Sequence, residues 1–385
     1  MRLRLPAVLL LALLAALPVA AQRRTSVLQD PAFQADARQG LDALYSLRFG
    51  EAERTFDRIA ARYPAHPVGP FLQALVPWWQ ILLDLSDTRR DDQFMRAMDE
   101  VADRADALLR RDDEDPDGLF FKAAAHGFRA RHLGNRRQYF AAAKDGLRAL
   151  DAVLELQKQD PANPDYRFGT GLYNYYRVVV PREHKVARPF AGAFPPGDRS
   201  GGLGDLHVAF RQGSFVQAEA AYFLLQIYYR YERDYAKTMQ FARYLRETYP
   251  DNAFFHALEG RVHARFGRWD RSEAAFRGVM RGYIDKKTGY NDAAAEQALY
   301  YLARARMAAD EPAAALDLLE RLEALGAASR RETAFEVLGR LRQGMALDQL
   351  GRREEARRRY REVIAMREVG STRDEARRYL DTPYR

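Results

Sequence analysis

The sequence predicts an all-α chain folded as an α-solenoid of antiparallel helix pairs, and three observations predict it. Apolar residues recur at three- and four-residue intervals, in segments of about 12 to 20 residues broken by Gly, Pro, Asp and Asn. Strand signals are nearly absent: Val178-Val179-Val180 is the one β-branched run, and Pro181 follows it at once. The third observation is a repeated spacing. Gly40, Ala52, Phe56 and Pro64 lie 12, 4 and 8 residues apart, and Gly260, Ser272, Phe276 and Gly344, Ala356, Tyr360 repeat the first two intervals. Ala303, Ala315 and Leu319 give a milder version.

The spacing has a direct physical sense. A small residue on one helix and another on the next let two antiparallel helices approach closely. The aromatic or Leu residue four positions later lies one turn along the same face and fills the seam. Gly50, Gly267 and Gly351 suit the tight turns between paired helices, and Pro64 stops the second helix of its pair.

At these residues the chain resembles the tetratricopeptide repeat (TPR) family, whose unit of about 34 residues carries small, small, aromatic and Pro positions in this order. Units 33–66, 253–286 and 337–370 match well, and 296–329 and 219–252 match in part. Between 67 and 165 the helices read as longer than the family's, with degenerate motifs around Gly127, Gly134 and Pro161. A narrower resemblance lies in Phe168-Gly169-Thr170-Gly171-Leu172-Tyr173-Asn174, Pro181, Gly197-Asp198 and Gly202-Leu203, continuing through Tyr235, Tyr249-Pro250 and Gly260-Arg261. This stretch is similar to the eukaryotic tetratricopeptide repeat protein 39 family, which implies a helical adaptor and carries over no catalytic residue.

The N-terminus reads as an export signal. Arg2 and Arg4 precede an apolar stretch from Leu5 to Leu17, and Val19-Ala20-Ala21 supplies small residues for cleavage. The expected organisation is therefore a signal peptide at 1–21 and one helical-repeat domain at 22–385. Within the domain the irregular long helices fill 67–165, a loop fills 181–202 and a capping helix fills 371–381. The expected location is periplasmic, with secretion as the alternative. Phe71 to Leu85, the most apolar later segment, contains Gln73, Pro77, Gln80 and Asp84 and reads as a buried helix. The chain contains no cysteine, which excludes disulfides, thiolate metal sites and an acylated lipobox.

The formal charge of +8 does not point to nucleic acid. Basic residues alternate with the 53 acidic ones along most of the chain, whereas nucleic-acid binders gather them into a patch or arm. Only residues 330–385 lean basic, with 15 Arg against 10 Asp and Glu.

Candidate chemistry is sparse, and no cofactor, metal or catalytic residue is assigned. Asp112-Asp113-Glu114-Asp115-Pro116-Asp117 lacks the glycine and terminal glutamate of a calcium loop. Ser200 lacks the flanking glycines of a nucleophile elbow. His256 and His263 are two helical turns apart, about 10 Å, too far for a shared metal. The 181–202 loop holds Pro181, Pro189, Pro195 and Pro196 with Phe190 and Phe194, and a loop of roughly 20 residues inside a repeat array is often functional. The aromatic clusters Trp78-Trp79, Tyr173-Tyr175-Tyr176, Tyr228-Tyr229-Tyr231 and Tyr300-Tyr301 read first as core, with a sugar- or peptide-binding wall as the sharper alternative.

The TPR resemblance implies a right-handed superhelix with a concave groove, a protein or peptide partner and no enzymatic activity. Carried onto this chain, the family's groove positions include Tyr45, Phe223, Arg230, Tyr231, Phe254, Arg261, Arg265, Tyr300, Arg304, Met307, Asp348 and Gln349, among others. Of these, Arg230, Tyr231, Arg261, Arg265, Tyr300 and Arg304, together with Phe190 and Phe194 of the loop, are the candidate partner contacts. An arginine-bearing groove with aromatic rings suits an acidic peptide, because Arg grips a carboxylate through two parallel hydrogen bonds. The alternative is a glycan or small ligand held in a pocket beside Trp78 or Tyr175.

Overall fold

The computed structural model describes residues 26–183, 188, 192, 195–329 and 332–385. Among these, seventeen α-helices form eight antiparallel pairs and a terminal cap. The pairs are α1 (Pro31–Tyr45) with α2 (Phe49–Arg62), α3 (Val68–Leu83) with α4 (Asp91–Leu109), α5 (Pro116–Asn135) with α6 (Tyr139–Gln159), and α7 (Pro164–Glu183) with α8 (Arg199–Gln212). They continue as α9 (Gln217–Ile227) with α10 (Tyr235–Thr248), α11 (Ala253–Arg265) with α12 (Trp269–Ile284), α13 (Asp292–Ala308) with α14 (Pro312–Ser329), and α15 (Ala334–Gln349) with α16 (Arg353–Ala365). The cap is α17 (Thr372–Asp381). Each helix packs on its chain neighbours, the arrangement of an all-α helical-repeat solenoid.

Local chemistry sets these boundaries. Asp30 and Asp115 each cap a helix whose first residue is proline, accepting from Ala32 N and Gly118 N. Asp234, Asn252, Asn291 and Thr333 cap α10, α11, α13 and α15 in the same way. Most turns inside the pairs carry one left-handed residue, among them Gly267 (φ 71°) and Gly351 (φ 74°) where glycine was expected. In the first pair the left-handed residue is Leu47 (φ 59°), and Gly50 lies inside α2.

The repeat spacing is a packing rule. A Cβ on Gly40, Gly260 or Gly344 would run into the ring of Phe56, Phe276 or Tyr360 respectively, all three fully buried. Between 67 and 165 the pairs continue without a break, on helices of 16 to 21 residues. The close approaches there fall at Gly69 on Ala60 and Gly118 on Leu109, and Gly127 and Gly134 face open space. Gly171 and Gly202 bring the backbones of α7 and α8 together. α7 runs on through Pro181 to Glu183 and α8 starts at Arg199, so both ends of the expected 181–202 loop are helical.

One feature departs from a simple solenoid. The array curls until its first two pairs meet its sixth and seventh. Asn252 Nδ2 donates to Tyr45 O at 2.6 Å, and Asn291 Nδ2 donates to Leu83 O at 3.3 Å, across more than 200 residues. One continuous apolar core runs from Leu28 to Leu302, while α14 to α17 are held by smaller separate clusters.

Candidate functional site

The curl decides which part of the inner surface is free. Tyr45 meets Trp79 edge-on at 5.4 Å between ring centroids and Tyr249 at 5.2 Å, and Trp79 meets Phe254 and Phe255 at 6.0 and 5.5 Å. Arg131 of α5 reaches into this centre. Its guanidinium lies 4.8 to 5.1 Å from the rings of Trp78, Tyr222 and Phe223 and pairs with Glu219 at 3.1 Å. Burial, then the Glu219 charge, drives the Tyr45 phenol well above its ordinary range. The space left among these side chains is about 10 Å³. Tyr45, Phe223 and Phe254, which the TPR resemblance assigns to a groove, therefore pack the closed centre of the first six pairs.

The remaining inner surface belongs to α11, α13 and α15. Tyr301 lies flat on Phe276, with centroids 4.7 Å apart and planes 2° apart. Burial raises its phenol, and Arg261 and Arg304, acting on it from two helices, pull it back. The Arg304 guanidinium stands 5.1 Å from the Trp269 ring, 5.5 Å from Tyr301 and 5.7 Å from Tyr300. Arg261 keeps its Nε buried with no hydrogen-bond partner among the described residues. Arg265, at the end of α11, is exposed. Tyr300 is buried between Tyr301 and Phe335. Met307 is half-buried, and Arg342 donates to Met345 Sδ at 3.2 Å.

No carboxylate lies within ion-pair distance of Arg261, Arg265 or Arg304 among the described residues. The one acid assigned to this face, Asp348, is turned into the cap. It accepts from Tyr360 OH and Tyr384 N, both at 2.9 Å, and pairs with Arg353 at 3.0 Å, with its side chain wholly covered. The Gln349 Oε1 beside it is buried without a partner among the described residues.

The other candidates fall elsewhere. Arg230 and Tyr231 sit on a π-helical turn, Tyr228–Glu232, that ends at left-handed Arg233. Tyr231 packs on Tyr175 and Tyr176, and exposed Arg230 donates to Gln226 Oε1. Phe190 and Phe194 lie outside the described residues, as does the predicted signal at 1–21. Sequence reasoning missed Trp269, Arg131 and Glu219 and did not single out Tyr301 within its cluster. Tyr301 was visible only as the neighbour of Tyr300, and nothing in the local sequence sets Arg131 against Glu219.

The polar residues weighed in the sequence do structural work. Asp117 is buried and accepts from Ser26 Oγ and Val27 N, with His66 Nε2 at 3.3 Å. Burial pushes its carboxyl up, but these hydrogen bonds win and hold it below the ordinary range. Ser200 Oγ donates to Asp198, the cap of α8. His256 and His263 pair with Tyr290 and Tyr235. Among the described residues no group of three His, Asp or Glu side chains could hold a metal ion, and no helix is long and apolar enough to cross a membrane.

Trp78 stacks on Phe94 at 5.1 Å, and Tyr175 is fully buried with its hydroxyl on Glu232, so neither ring opens onto a deep pocket. A shallow cleft of about 310 Å³ lies where the α3–α4 turn meets residues 289–292. Its Arg89 and Arg90 are occupied by Asp87 and Gln80.

No family model matches the chain, and no curated protein matches it. Among solved structures it is similar to the crystal structure of the yeast Tom70, at 12% sequence identity and a TM-score of 0.26, over 91% of this chain and 88% of that chain.

Proposed function

We propose that the protein is an exported, non-catalytic scaffold of the cell envelope, and that it holds a protein or peptide partner on the inner face of α11, α13 and α15. The partner offers a carboxylate to Arg261 and Arg304 beside Tyr301, with Arg265 at the rim. The observation that carries this reading is the imbalance of the face. Among the described residues Arg261, Arg265 and Arg304 lack carboxylate partners and the buried Arg261 Nε lacks a hydrogen bond, and Asp348 is committed to the cap. The filled centre and the shallow, internally paired cleft favour a protein or peptide over a glycan or small ligand.

Two measurements test the proposal. Intact mass of the protein recovered from the periplasm is expected to give a chain starting at or near Gln22, and a membrane-retained chain starting at Met1 would overturn the export reading. Crosslinking and pull-down from the native envelope supplies the partner. Its affinity is then compared for the unmodified chain and Arg261→Ala/Arg265→Ala/Arg304→Ala. A loss of tenfold or more is expected, from at least one charge-assisted hydrogen bond of about 1.5–3 kcal/mol. Unchanged affinity with intact helicity would move the contact elsewhere, first to the segment between α7 and α8 that holds Phe190 and Phe194.

A further inference from the structure

The junction that curls the array is built from helix ends. Asn252 caps α11, accepting from Phe254 N and Phe255 N through Oδ1, and Asn291 caps α13, accepting from Ala294 N. Each amide nitrogen is left over, and each donates to the last residue of another helix: Asn252 to Tyr45 of α1, Asn291 to Leu83 of α3. The starts of α11 and α13 thus face the ends of α1 and α3, bringing the positive end of one helix dipole to the negative end of another. Gly289 (φ 82°) lies between, where a Cβ would strike Leu47.

We propose that this double helix-end junction is a reversible closure, set by the Asn252 and Asn291 amides, that opens and covers the aromatic centre while the helix pairs stay folded. Three observations carry the inference. Every helix already packs on its neighbours in the chain, so the pairs do not need the junction to form. The surfaces it covers have the make-up of an interface, with Tyr45, Trp79, Tyr222 and Tyr249 around an Arg–Glu pair. A buried ion pair adds little net stability to a closed state, so the centre is not held shut by its charges. α11 carries Asn252 at its start and Arg261 further along, so opening also displaces the face proposed above, although the closure itself stands independently of that reading.

Asn→Asp isolates the junction, because aspartate caps a helix as well as asparagine but cannot donate, and it sets an anion against carbonyls at a helix C-terminus. In Asn252→Asp/Asn291→Asp, hydroxyl-radical labelling of Tyr45 and Trp79 is expected to rise several-fold. Labelling of Phe94 and Phe276, and the helical circular dichroism, are expected to stay at the level of the unmodified chain. Unchanged Tyr45 and Trp79 labelling in a folded variant overturns the proposal, and so does a rise accompanied by loss of helix. The unmodified chain gives a second reading under a urea titration. Trp79 labelling is expected to rise at a urea concentration that leaves helicity intact, and a rise coincident with helix loss overturns the closure.

Discussion

The first six helix pairs and the last two follow the same packing rule and end in different states. Gly40 on Phe56 in the first pair and Gly344 on Tyr360 in the last are the same contact. From the first pair to the start of α11 the inner surface is consumed by the protein itself, with Arg131, Glu219 and a ring of aromatics closing the centre. From the end of α11 through α13 and α15 it is left open, beside Arg304, which has rings beneath it and no carboxylate within ion-pair distance among the described residues. The difference teaches that repeat spacing specifies how pairs stack. It does not specify whether the stack stays open, because curvature accumulates from the whole array and shows in contacts between residues far apart in the chain, such as Asn252 and Tyr45, 207 residues apart.

Breaking the centre is the most severe test of this contrast. Arg131→Met leaves the Glu219 carboxylate buried and unpaired, and is expected to cost about 3–5 kcal/mol in a denaturant melt. Adding Glu219→Leu removes the stranded charge and is expected to restore much of that loss. If the single variant melts like the unmodified chain, the centre is wet and the first six pairs are not closed.

A titration separates the regions without any substitution, because every histidine precedes residue 264 and the last two pairs have none. Burial pushes the His256 imidazole down to about 4 from 6.5, leaving it neutral against the Tyr290 hydroxyl at 3.1 Å. A base with a depressed folded pKa binds more protons when unfolded. Its contribution is therefore complete above about pH 6.5 and is lost as pH falls toward about 4. Across that window the stability is expected to drop by about 2–3 kcal/mol. His256→Gln is expected to remove its own share of the drop while His126, His132, His207 and His263, lowered in the same direction by burial, keep theirs, and an unchanged slope would clear His256.

The seam glycines give a smaller and more local effect. Gly344→Leu is expected to overpack Tyr360 and cost about 1–3 kcal/mol, with hydrogen exchange rising in α15 to α17 and not in α1 to α6. Gly260→Leu makes the same clash against Phe276 inside the continuous core, so its effect is expected to spread across the ring. Identical exchange patterns for the two would mean that the closure does not couple the first six pairs.

Much of the fold was legible because its signals are local. Small residues 16 positions before an aromatic, Asp or Asn before helices such as α1, α5, α10 and α11, and glycine in the Gly267 and Gly351 turns all act within one pair. The reading slipped where a substitute served. Leu47 takes the left-handed position that Gly50 was expected to hold, and Gly118, not Gly127, makes the close approach in the middle of the array. The site was legible only in part. Arg261 and Arg304 come together around Tyr301, whereas Asp348 was placed in a groove that the end of the chain, through Tyr384, covers. Tyr45 and Asn252 lie 207 residues apart, and no window of sequence contains both.

The smallest expected effect bears on whether the open face is built for stability or for contact. Arg358 projects from α16, 63% exposed, with Glu355 at 3.7 Å, and Arg358→Ala is expected to change stability by less than about 0.5 kcal/mol. Arg304 is half-buried over three aromatic rings, and its loss removes cation–π attraction worth about 0.5–1 kcal/mol together with the cover its alkyl stem gives those rings. Arg304→Ala is therefore expected to cost up to about 1 kcal/mol, more than Arg358→Ala and far less than Arg131→Met. A guanidinium that contributes so little to folding, with no carboxylate in ion-pair distance among the described residues, is available to a partner's carboxylate. A loss of several kcal/mol from Arg304→Ala would instead make this arginine part of the core, as Arg131 is, and the last two pairs would then share the self-filled character of the first six.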